Sequence, residues 1–387
     1  MSAGVATGMR IVSVTHFFPA RKGGIEIVAF EINRRLAERG HRVDWFASAS
    51  AAMPEASPNL HCHPMQAIDL VERMLGIPLP IWIAGGVPAL WSAIKQCDAV
   101  HIHDFVYPGS MLALALARWH GKPVVLTQHI GEIPYDSKVL SATLSAVNHV
   151  IGKIALRSAS QVVFISNAVE AYFRSFVTFR RAPAYLPNGV NTAMFYPVGE
   201  NERQTARLRL GIASDASVCL FVGRFVEKKG MKLLNKLVPL TPAIEWVFAG
   251  HGPLRPPEPP AQTVRIFESR SHAELAELYR AADLLVLPSQ GEGFPLVVQE
   301  AYACGLPALV SDATAAGCEE VRHLLAELPV VGDEVTQQWQ AGLATLMADR
   351  PALSARRAAV AEFAARHWSW DHAVDQYERY YAARRPN

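Results

Sequence analysis

The stretch Leu284 to Asp312 reads LLVLPSQGEGFPLVVQEAYACGLPALVSD. Its first four residues, Leu284 to Leu287, are an apolar run too short for a helix and closed by Pro288, which predicts a buried parallel strand. The loop Ser289 to Phe294 sets Glu292 between two glycines, and Pro295 has the fixed φ favoured at the first position of a helix. That helix is predicted to run to about Cys304, with Gly305 in the left-handed cap and Pro307 opening a second strand, Ala308 to Ser311. A parallel strand, helix and strand place ligands outside the carboxyl ends of the strands, where unpaired NH groups of the helix start attract anions. Glu300 lies in the first two turns, and helical side chains lean back toward the N-terminus, so its carboxylate points at the same mouth as Glu292. Taken singly, Glu292 reads as decoration of a turn and Glu300 as a solvated helix residue. The pair says more, because an anion site repels free carboxylates unless a ligand offers them hydroxyls, as sugars and riboses do.

Length and composition bound the rest. The chain has 387 residues, 50 % of them hydrophobic, enough for two domains with full cores and too apolar for overall disorder. Of 37 Lys+Arg and 35 Asp+Glu, residues 1–190 hold 17 and 12 and residues 191–387 hold 20 and 23, giving +5 and −3. The basic excess of the first half fits a surface facing anionic lipid or an anionic acceptor, and is too small to argue for nucleic acid. The five cysteines (Cys62, Cys97, Cys219, Cys304 and Cys318) are odd in number and lack CxxC spacing, which points to a reducing compartment. Met1 to Gly8 lack the basic start and apolar run of a signal peptide, so a cytoplasmic protein is expected. Met74 to Ile94 carries no charge and is long enough to span a bilayer, but Pro78, Pro80 and Pro88 with Gly76, Gly85 and Gly86 break any single helix. It reads as core helix plus loop, or as an apolar surface at Ile81 and Trp82 that touches membrane or a greasy acceptor.

From the N-terminus, Ile11 to Thr15 is a predicted strand, then the loop HFFPARKGG from His16 to Gly24, then a helix over Ile25 to Glu38 ended by Gly40. The glycine pair lets backbone approach a phosphate or a sugar closely. Arg21 and Lys22 read as solvated charges or acceptor contacts. Val43 to Phe46 is a strand, and the Ala-, Ser- and Pro-rich stretch that follows, to about His63, reads as loop. His61, Cys62 and His63 do not make a metal site, since adjacent strand residues point to opposite faces and no second ligand pair follows. Strands are predicted at Ala99 to His103, Pro123 to Thr127 and Gln161 to Ile165, and helices at Ser141 to Arg157 and Asn167 to Phe176. His103 and Asp104 stand at the carboxyl end of one strand, with His101 on the same face as His103, and Gln128 and His129 at the end of the next. Arg174, Arg180 and Arg181, interleaved with Phe173, Phe176 and Phe179, form a basic aromatic patch that suits anionic lipid or a helix end with snorkelling arginines. LPNGVN, Leu186 to Asn191, is turn chemistry, and a domain boundary is expected near 195.

Beyond it a polar helix precedes the strand Ser217 to Val222, which ends in Gly223, Arg224 and Phe225; Lys228, Lys229 and Gly230 follow before a helix over Met231 to Val238. Arginine grips two oxygens of a diphosphate and lysine adds a mobile point charge; the alternative is surface charge capping a turn. The strand Trp246 to Ala249 leads into Gly250, His251, Gly252 and Pro253, and the proline-rich Arg255 to Gln262 forbids a helix there. Val264 to Phe267 is a strand and His272 to Ala281 a helix. The tail is helical at Val335 to Met347, Pro351 to His367 and Trp370 to Arg384, without repeats.

These motifs together resemble the GT4 family of retaining GT-B glycosyltransferases, also called glycosyl transferases group 1, along essentially the whole chain. The seven residues between Glu292 and Glu300 match the family's E-x7-E motif, and Gly223 to Gly230 matches its GR-x4-KG diphosphate clamp. GGIE before the first helix, the SNAV at Ser166 to Val169 and the GxGP turn at Gly250 are also similar. The resemblance implies that Glu300 binds ribose hydroxyls of a sugar nucleotide, Glu292 and His129 contact the transferred sugar, and Arg224 and Lys229 stabilise the departing diphosphate. Gly24 would lie against the diphosphate or acceptor, Gly223, Gly252, Gly293, Phe294, Pro295 and Leu296 would line the donor, and His103 and Asp104 would lie on the acceptor side. The implied fold is α/β, of GT-B type: two Rossmann-like doubly wound domains facing a central cleft. Residues 1–195 would bind the acceptor and 196–367 the sugar nucleotide, with 368–387 a helix crossing back to the first domain. The implied reaction moves a sugar from a nucleoside diphosphate sugar to a hydroxyl of a glycan, glycolipid or small molecule with retention, the leaving phosphate taking the acceptor proton and closure excluding water. The resemblance implies no metal and no cofactor beyond that co-substrate, no nucleic acid, and a place in the cytoplasm with peripheral membrane contact where the acceptor is lipid-linked or a growing polysaccharide. Two departures leave the base open, the proline-rich loop in place of a helix and Glu268 to Arg270 where a glycine-containing turn commonly reads the base; Pro295, where many relatives have glycine, removes one NH donor, and EEV at Glu319 to Val321 matches the family's PEV only loosely. A dehydrogenase would need a GxGxxG after Ile11 to Thr15, which is absent. A sugar-nucleotide epimerase of the same shape would convert its donor without an acceptor, and a silent binding protein would hold donor without turnover.

Overall fold

The computed structural model describes residues 8–21, 24–55, 57–75, 79–131, 145–257, 264–290 and 295–383. Its strands are, in chain order, β1 (Arg10–Phe17), β2 (Arg42–Ser48), β3 (Leu60–Met65), β4 (Ala67–Ile68), β5 (Ile81–Trp82), β6 (Ala99–His103), β7 (Val124–Gln128), β8 (Gln161–Phe164), β9 (Ala184–Tyr185), β10 (Ser217–Val222), β11 (Ile244–Ala249), β12 (Val264–Phe267), β13 (Leu284–Leu287), β14 (Ala308–Ser311) and β15 (Ala326–Leu328). They form a seven-stranded sheet ordered β3-β2-β1-β6-β7-β8-β9, a six-stranded sheet ordered β12-β11-β10-β13-β14-β15, and a small antiparallel β4-β5 pair. Both large sheets pair in parallel throughout. Parallel strands covered by helices on both faces need apolar residues at every position, and Leu284 to Leu287 are all buried. In each sheet the strand order reverses once, between β1 and β6 and between β10 and β13, and such switch points open the crevice where ligands bind.

The chain divides into two compact units, the first made of the residues before Gly189 together with those from Trp370 on, the second of Gly189–Ser369. The division falls earlier than the boundary expected near 195. Val190 donates its N–H to the Trp368 carbonyl at 2.6 Å, and Val190 and Phe195 are buried in the core of the second unit, so the connecting segment packs as part of that unit. In the first unit the helix Trp370–Ala382 lies against the helix Gly24–Glu38, with Trp370, Val374, Tyr377 and Tyr381 in one core with Ile32 and Leu36. Arg39 pairs with Asp375 at 2.6 Å beside them.

Several local expectations differ from what forms. The stretch read as loop up to His63 contains β3, which pairs with β2 at the sheet edge; His63 stacks on Phe46 and its Nε2 lies 2.9 Å from Asp44 Oδ1. Pro295 is the residue before the helix, at φ −79° and ψ 123°, and the helix is Leu296–Ala303. Its other end closes on Gly305 at φ +70°, with the Leu306 N–H bonded to the Ala301 carbonyl and the Gly305 N–H to Tyr302. The aromatic half of the basic patch turns inward: Phe173 is fully buried and Arg174 pairs with Glu170. Within residues 74–94, Trp82 packs on Gly109 and the helix Val87–Gln96 buries Leu90 and Ile94. No helix among the described residues is long and apolar enough to cross a membrane.

Candidate functional site

In the second unit, three loops meet at the carboxyl ends of β10, β11 and β13. The loop after β10 runs through Gly223, Arg224 and Phe225 to a short turn, Glu227–Lys229, and Gly230 then precedes the helix Met231–Leu240. Gly250 after β11 has φ +149°, and a Cβ there would sit 1.9 Å from the Gly223 carbonyl oxygen. Gly252 is at φ +153°, with a Cβ position 2.5 Å from the Phe225 oxygen, and Gly230 at φ +80° has one 2.3 Å from the Pro288 oxygen. Only glycine combines these backbone angles with such contact. Hydrogen bonds complete the joint: Phe225 N–H to His251 O at 2.7 Å, Leu254 N–H to Phe225 O at 2.9 Å, and Gln290 N–H to Lys228 O at 2.8 Å.

Lys229 is half-buried, and its Cδ and Cε lie 3.8 Å from where a Gly223 Cβ would be, so the lysine stem crosses the face of that glycine. Arg224 is exposed at the same strand end. Glu300, on the helix that follows the β13 loop, accepts a hydrogen bond from the Tyr279 hydroxyl at 2.8 Å. Burial pushes the Glu300 carboxyl up to about 7, against the Tyr279 hydrogen bond, which favours the carboxylate. Tyr279 itself is fully buried and is the partner that sequence reading missed; its position two residues before the end of the helix His272–Ala281 carried no signal beyond a core aromatic. Pro295 is buried and Leu296 exposed at the helix start. Glu292, Gly293 and Phe294, expected to contact the sugar and line the donor, lie outside the described residues. Elsewhere in this unit Asp283 accepts from Arg207 at 2.8 Å, from Arg203, and from the Val218 N–H at 2.8 Å, which ties the helix Glu200–Leu210 to the sheet.

In the first unit the ends of β1, β6 and β7 gather four histidines. His103 Nδ1 and His129 Nε2 lie 3.1 Å apart. His101 bonds to Thr127 Oγ1 and to the Tyr381 hydroxyl, each at 2.8 Å, and Thr127 Oγ1 lies 3.0 Å from the Tyr377 hydroxyl. Burial, with further repulsion from His129, lowers His101 to about 3; burial, then His16, lowers His129 to about 3; His103 is held well below the usual range mainly by burial. All three are therefore neutral at physiological pH. Asp104 adopts φ +59°, and its Oδ1 takes the N–H groups of His129 at 3.2 Å and Ile130 at 3.3 Å. Burial pushes Asp104 up to about 8 in spite of those donors. His16 and Glu26 pair at 3.1 Å beside them, and His16 stacks on Tyr107 at 3.9 Å. Neither was singled out in the sequence; Glu26 sits in GGIE, where attention falls on the glycines. Gly24 is the first residue of its helix, and a Cβ there would meet no described atom within 4 Å.

The sequence places the chain among known proteins. Residues 22–194 match the family described as Glycosyltransferase Family 4, and residues 202–365 the family described as Glycosyl transferases group 1. The D-inositol 3-phosphate glycosyltransferase of Thermobispora bispora is 30 % identical over 390 residues, covering 90 % of this chain and 87 % of that one. The chain belongs to glycosyltransferase family 4. The enzyme of the same name from Geodermatophilus obscurus is 31 % identical over 402 residues, covering 93 % and 85 %. Among solved structures, sucrose-phosphate synthase from Thermosynechococcus elongatus has a TM-score of 0.68 at 20 % identity, covering 96 % of this chain and 98 % of that one. Anabaena HepE in complex with UDP and glucose has a TM-score of 0.66 at 18 % identity, covering 97 % and 100 %. Those likenesses show the GT-B fold, and the family membership makes this family 4 chain a glycosyltransferase.

Proposed function

We propose that this glycosyltransferase takes a nucleoside diphosphate sugar in the second unit and transfers the sugar, with retention, to a hydroxyl of an acceptor bound by the first. The observation that carries the reading is the joint of three strand-end loops at which Lys229 crosses Gly223, with the Glu300 carboxyl on the helix that follows the third loop. There the Lys229 ammonium and the exposed Arg224 guanidinium would meet the two phosphates, and Glu300 would take the ribose hydroxyls. Fixed charges of this kind stabilise a departing diphosphate without reorganising during the reaction. On the first unit, the neutral His129 would offer a hydrogen bond to the transferred sugar, with Gly24 leaving room for its approach and His103 and Asp104 on the acceptor side. Relatives whose names specify D-inositol 3-phosphate, and neighbours solved with UDP or UDP-glucose, support the choice of ligands to try first. A thermal-shift screen of UDP-, GDP- and ADP-sugars is expected to raise the melting temperature with one nucleotide series, since a ligand that binds only the native state stabilises it. No shift with any of the three series at millimolar concentration sinks the reading.

A further inference from the structure

In the second unit, the amino ends of β10 and β13 carry a cluster of arginines. Asp283, just before β13, accepts from Arg203, from Arg207 and from the Val218 N–H of β10. Beside it the helix Arg350–His367 presents Arg350, Ser354 and Arg357 on one face, at spacings of four and three residues. A cavity of about 760 Å³ lies against that face, walled by the segment 192–198 and by Arg203, Ser354, Arg357 and Ala358. A smaller cavity of about 240 Å³ shares Arg203, Ser354 and Arg357 with it and adds Asp283 and Arg350. The six residues of β10 separate this end of the sheet from the loop at Gly223, about 20 Å for a parallel strand of that length. We propose that the wall shared by the two cavities is a second anion site, distinct from the loops that carry Lys229, and that it takes a phosphate monoester with a small apolar body.

Charge selects the ligand. The four guanidinium groups of Arg203, Arg207, Arg350 and Arg357 meet the two carboxylates of Asp283 and Glu200, which leaves +2. Glu362, the other acid on the wall of the larger cavity, is paired with Arg366. Arg207 is fully engaged, donating to Asp283 and to the carbonyls of Ala281, Ser214 and Ala216. Arg357 donates only to the carbonyls of Ala282 at 3.1 Å and Arg280 at 3.4 Å, and no carboxylate among the described residues pairs with it. Burial, then repulsion from Arg203, lowers its guanidinium to about 10. Arg203 is 7 % exposed, and its Nε has no partner among the described residues, although its other nitrogens reach Glu200 and Asp283; a buried donor in that state calls for an explanation. A phosphate monoester carries a charge of about −1.5 to −2 at neutral pH and so matches the excess, where a carboxylate leaves one charge over. Guanidinium groups grip its oxygens, and the Ser354 hydroxyl stands between them. Phe195, Pro197, Val198, Ala358 and Ala361 line the rest of the larger cavity, whose volume is that of a small-molecule site and far exceeds a bare ion. The apolar body of the ester belongs there.

Calorimetric titration of the full chain with phenyl phosphate, in the presence of saturating UDP, tests this. One equivalent is expected to bind, with inorganic phosphate, which lacks the body, and benzoate, which lacks a charge, each at least about tenfold weaker. Arg357→Met keeps an apolar stem without the charge; it is expected to weaken phenyl phosphate at least about tenfold and to leave UDP affinity within about twofold. Ala358→Phe, at an exposed helix position, fills the cavity; it is expected to abolish phenyl phosphate binding while inorganic phosphate binds as before. Lys229→Ala is expected to leave phenyl phosphate affinity unchanged. Circular dichroism shows which variants are folded, and if Arg357→Met is not, Ala358→Phe decides. No binding of phenyl phosphate at millimolar concentration, displacement by UDP, loss in Lys229→Ala, or benzoate bound as tightly overturns the proposal. Wild-type affinity for phenyl phosphate in folded Arg357→Met or Ala358→Phe does so too. A chain that binds phenyl phosphate in this way but no sugar nucleotide keeps this site and sinks the donor reading.

Discussion

Glu300→Gln should make the protein more stable and a worse binder at once. Burial holds the Glu300 carboxyl at about 7 in the folded chain, against 4.5 when unfolded. The native state therefore binds a proton more tightly than the unfolded state, and stability associated with that proton is complete below 4.5 and is lost as the pH rises through 7. At about 1.36 kcal/mol per unit, the difference amounts to about 3 kcal/mol by pH 8. Glutamine keeps the shape and still accepts from the Tyr279 hydroxyl, but carries no charge to desolvate. The variant is thus expected to match the wild type near pH 4.5 and to exceed it by up to about 3 kcal/mol at pH 8, roughly 6–10 °C in the melting temperature of a unit this size. Its affinity for the sugar nucleotide should fall by roughly 10- to 100-fold, because a hydroxyl bonded to a charged group contributes about 1.5–3 kcal/mol and the neutral amide recovers only part. Melting curves from pH 4.5 to 8 and calorimetric titration at pH 8 measure both. A variant that melts below the wild type at pH 8, or one that binds the nucleotide equally well, shows that Glu300 is not a carboxylate kept buried for a ligand.

Two further outcomes follow from the same loops. Lys229→Ala removes an ammonium from a half-buried stem and should weaken UDP binding by about 1.5–3 kcal/mol, roughly 10- to 150-fold by calorimetry, with an unchanged circular dichroism spectrum. Gly250→Ala puts a methyl 1.9 Å from the Gly223 oxygen at φ +149°; it should lower stability by at least about 2 kcal/mol in denaturant titrations, and weaken UDP binding because the β10 and β11 loops are forced apart.

The sequence and structure agree most closely where backbone pattern alone decides the outcome. Ala99–His103, Ser217–Val222, Val264–Phe267 and Leu284–Leu287 form strands over the residues that the apolar runs delimit. β3 escaped notice because an edge strand need not be apolar throughout: of LHCHPM only Leu60 and Met65, at its two ends, are buried, and His63 between them stacks on Phe46 and lies 2.9 Å from Asp44. The loop after β10 was legible because its glycines and charged residues stand together in one short segment. Tyr279, His16 and Glu26 were not, since each acts across a distance in sequence. Tyr279 meets a residue 21 positions later, and His16 meets Glu26 across the loop that carries the two glycines. Spacing can reveal which residues share a loop or a helix face, but not which buried aromatic happens to stand under a carboxylate.

The two units arrange the polar groups at their strand ends in opposite ways. In the second, glycines at φ +80° to +153° let three loops press backbone on backbone, with the Arg224 guanidinium exposed and Lys229 half-buried at the joint. In the first, the left-handed position is given to Asp104, where an aspartate costs about 1–3 kcal/mol that a glycine would not. The strained turn is fastened by the Asp104 N–H to the Thr127 carbonyl at 2.9 Å and by the carboxyl to the N–H groups of His129 and Ile130. The same carboxyl thereby fixes the backbone that presents His129, whose ring meets His103, whose remaining nitrogen is unpaired. Strain, two neutral imidazoles and an orphaned oxygen thus converge on one strand end, where among the described residues no lysine or arginine pairs with the Asp104 carboxyl.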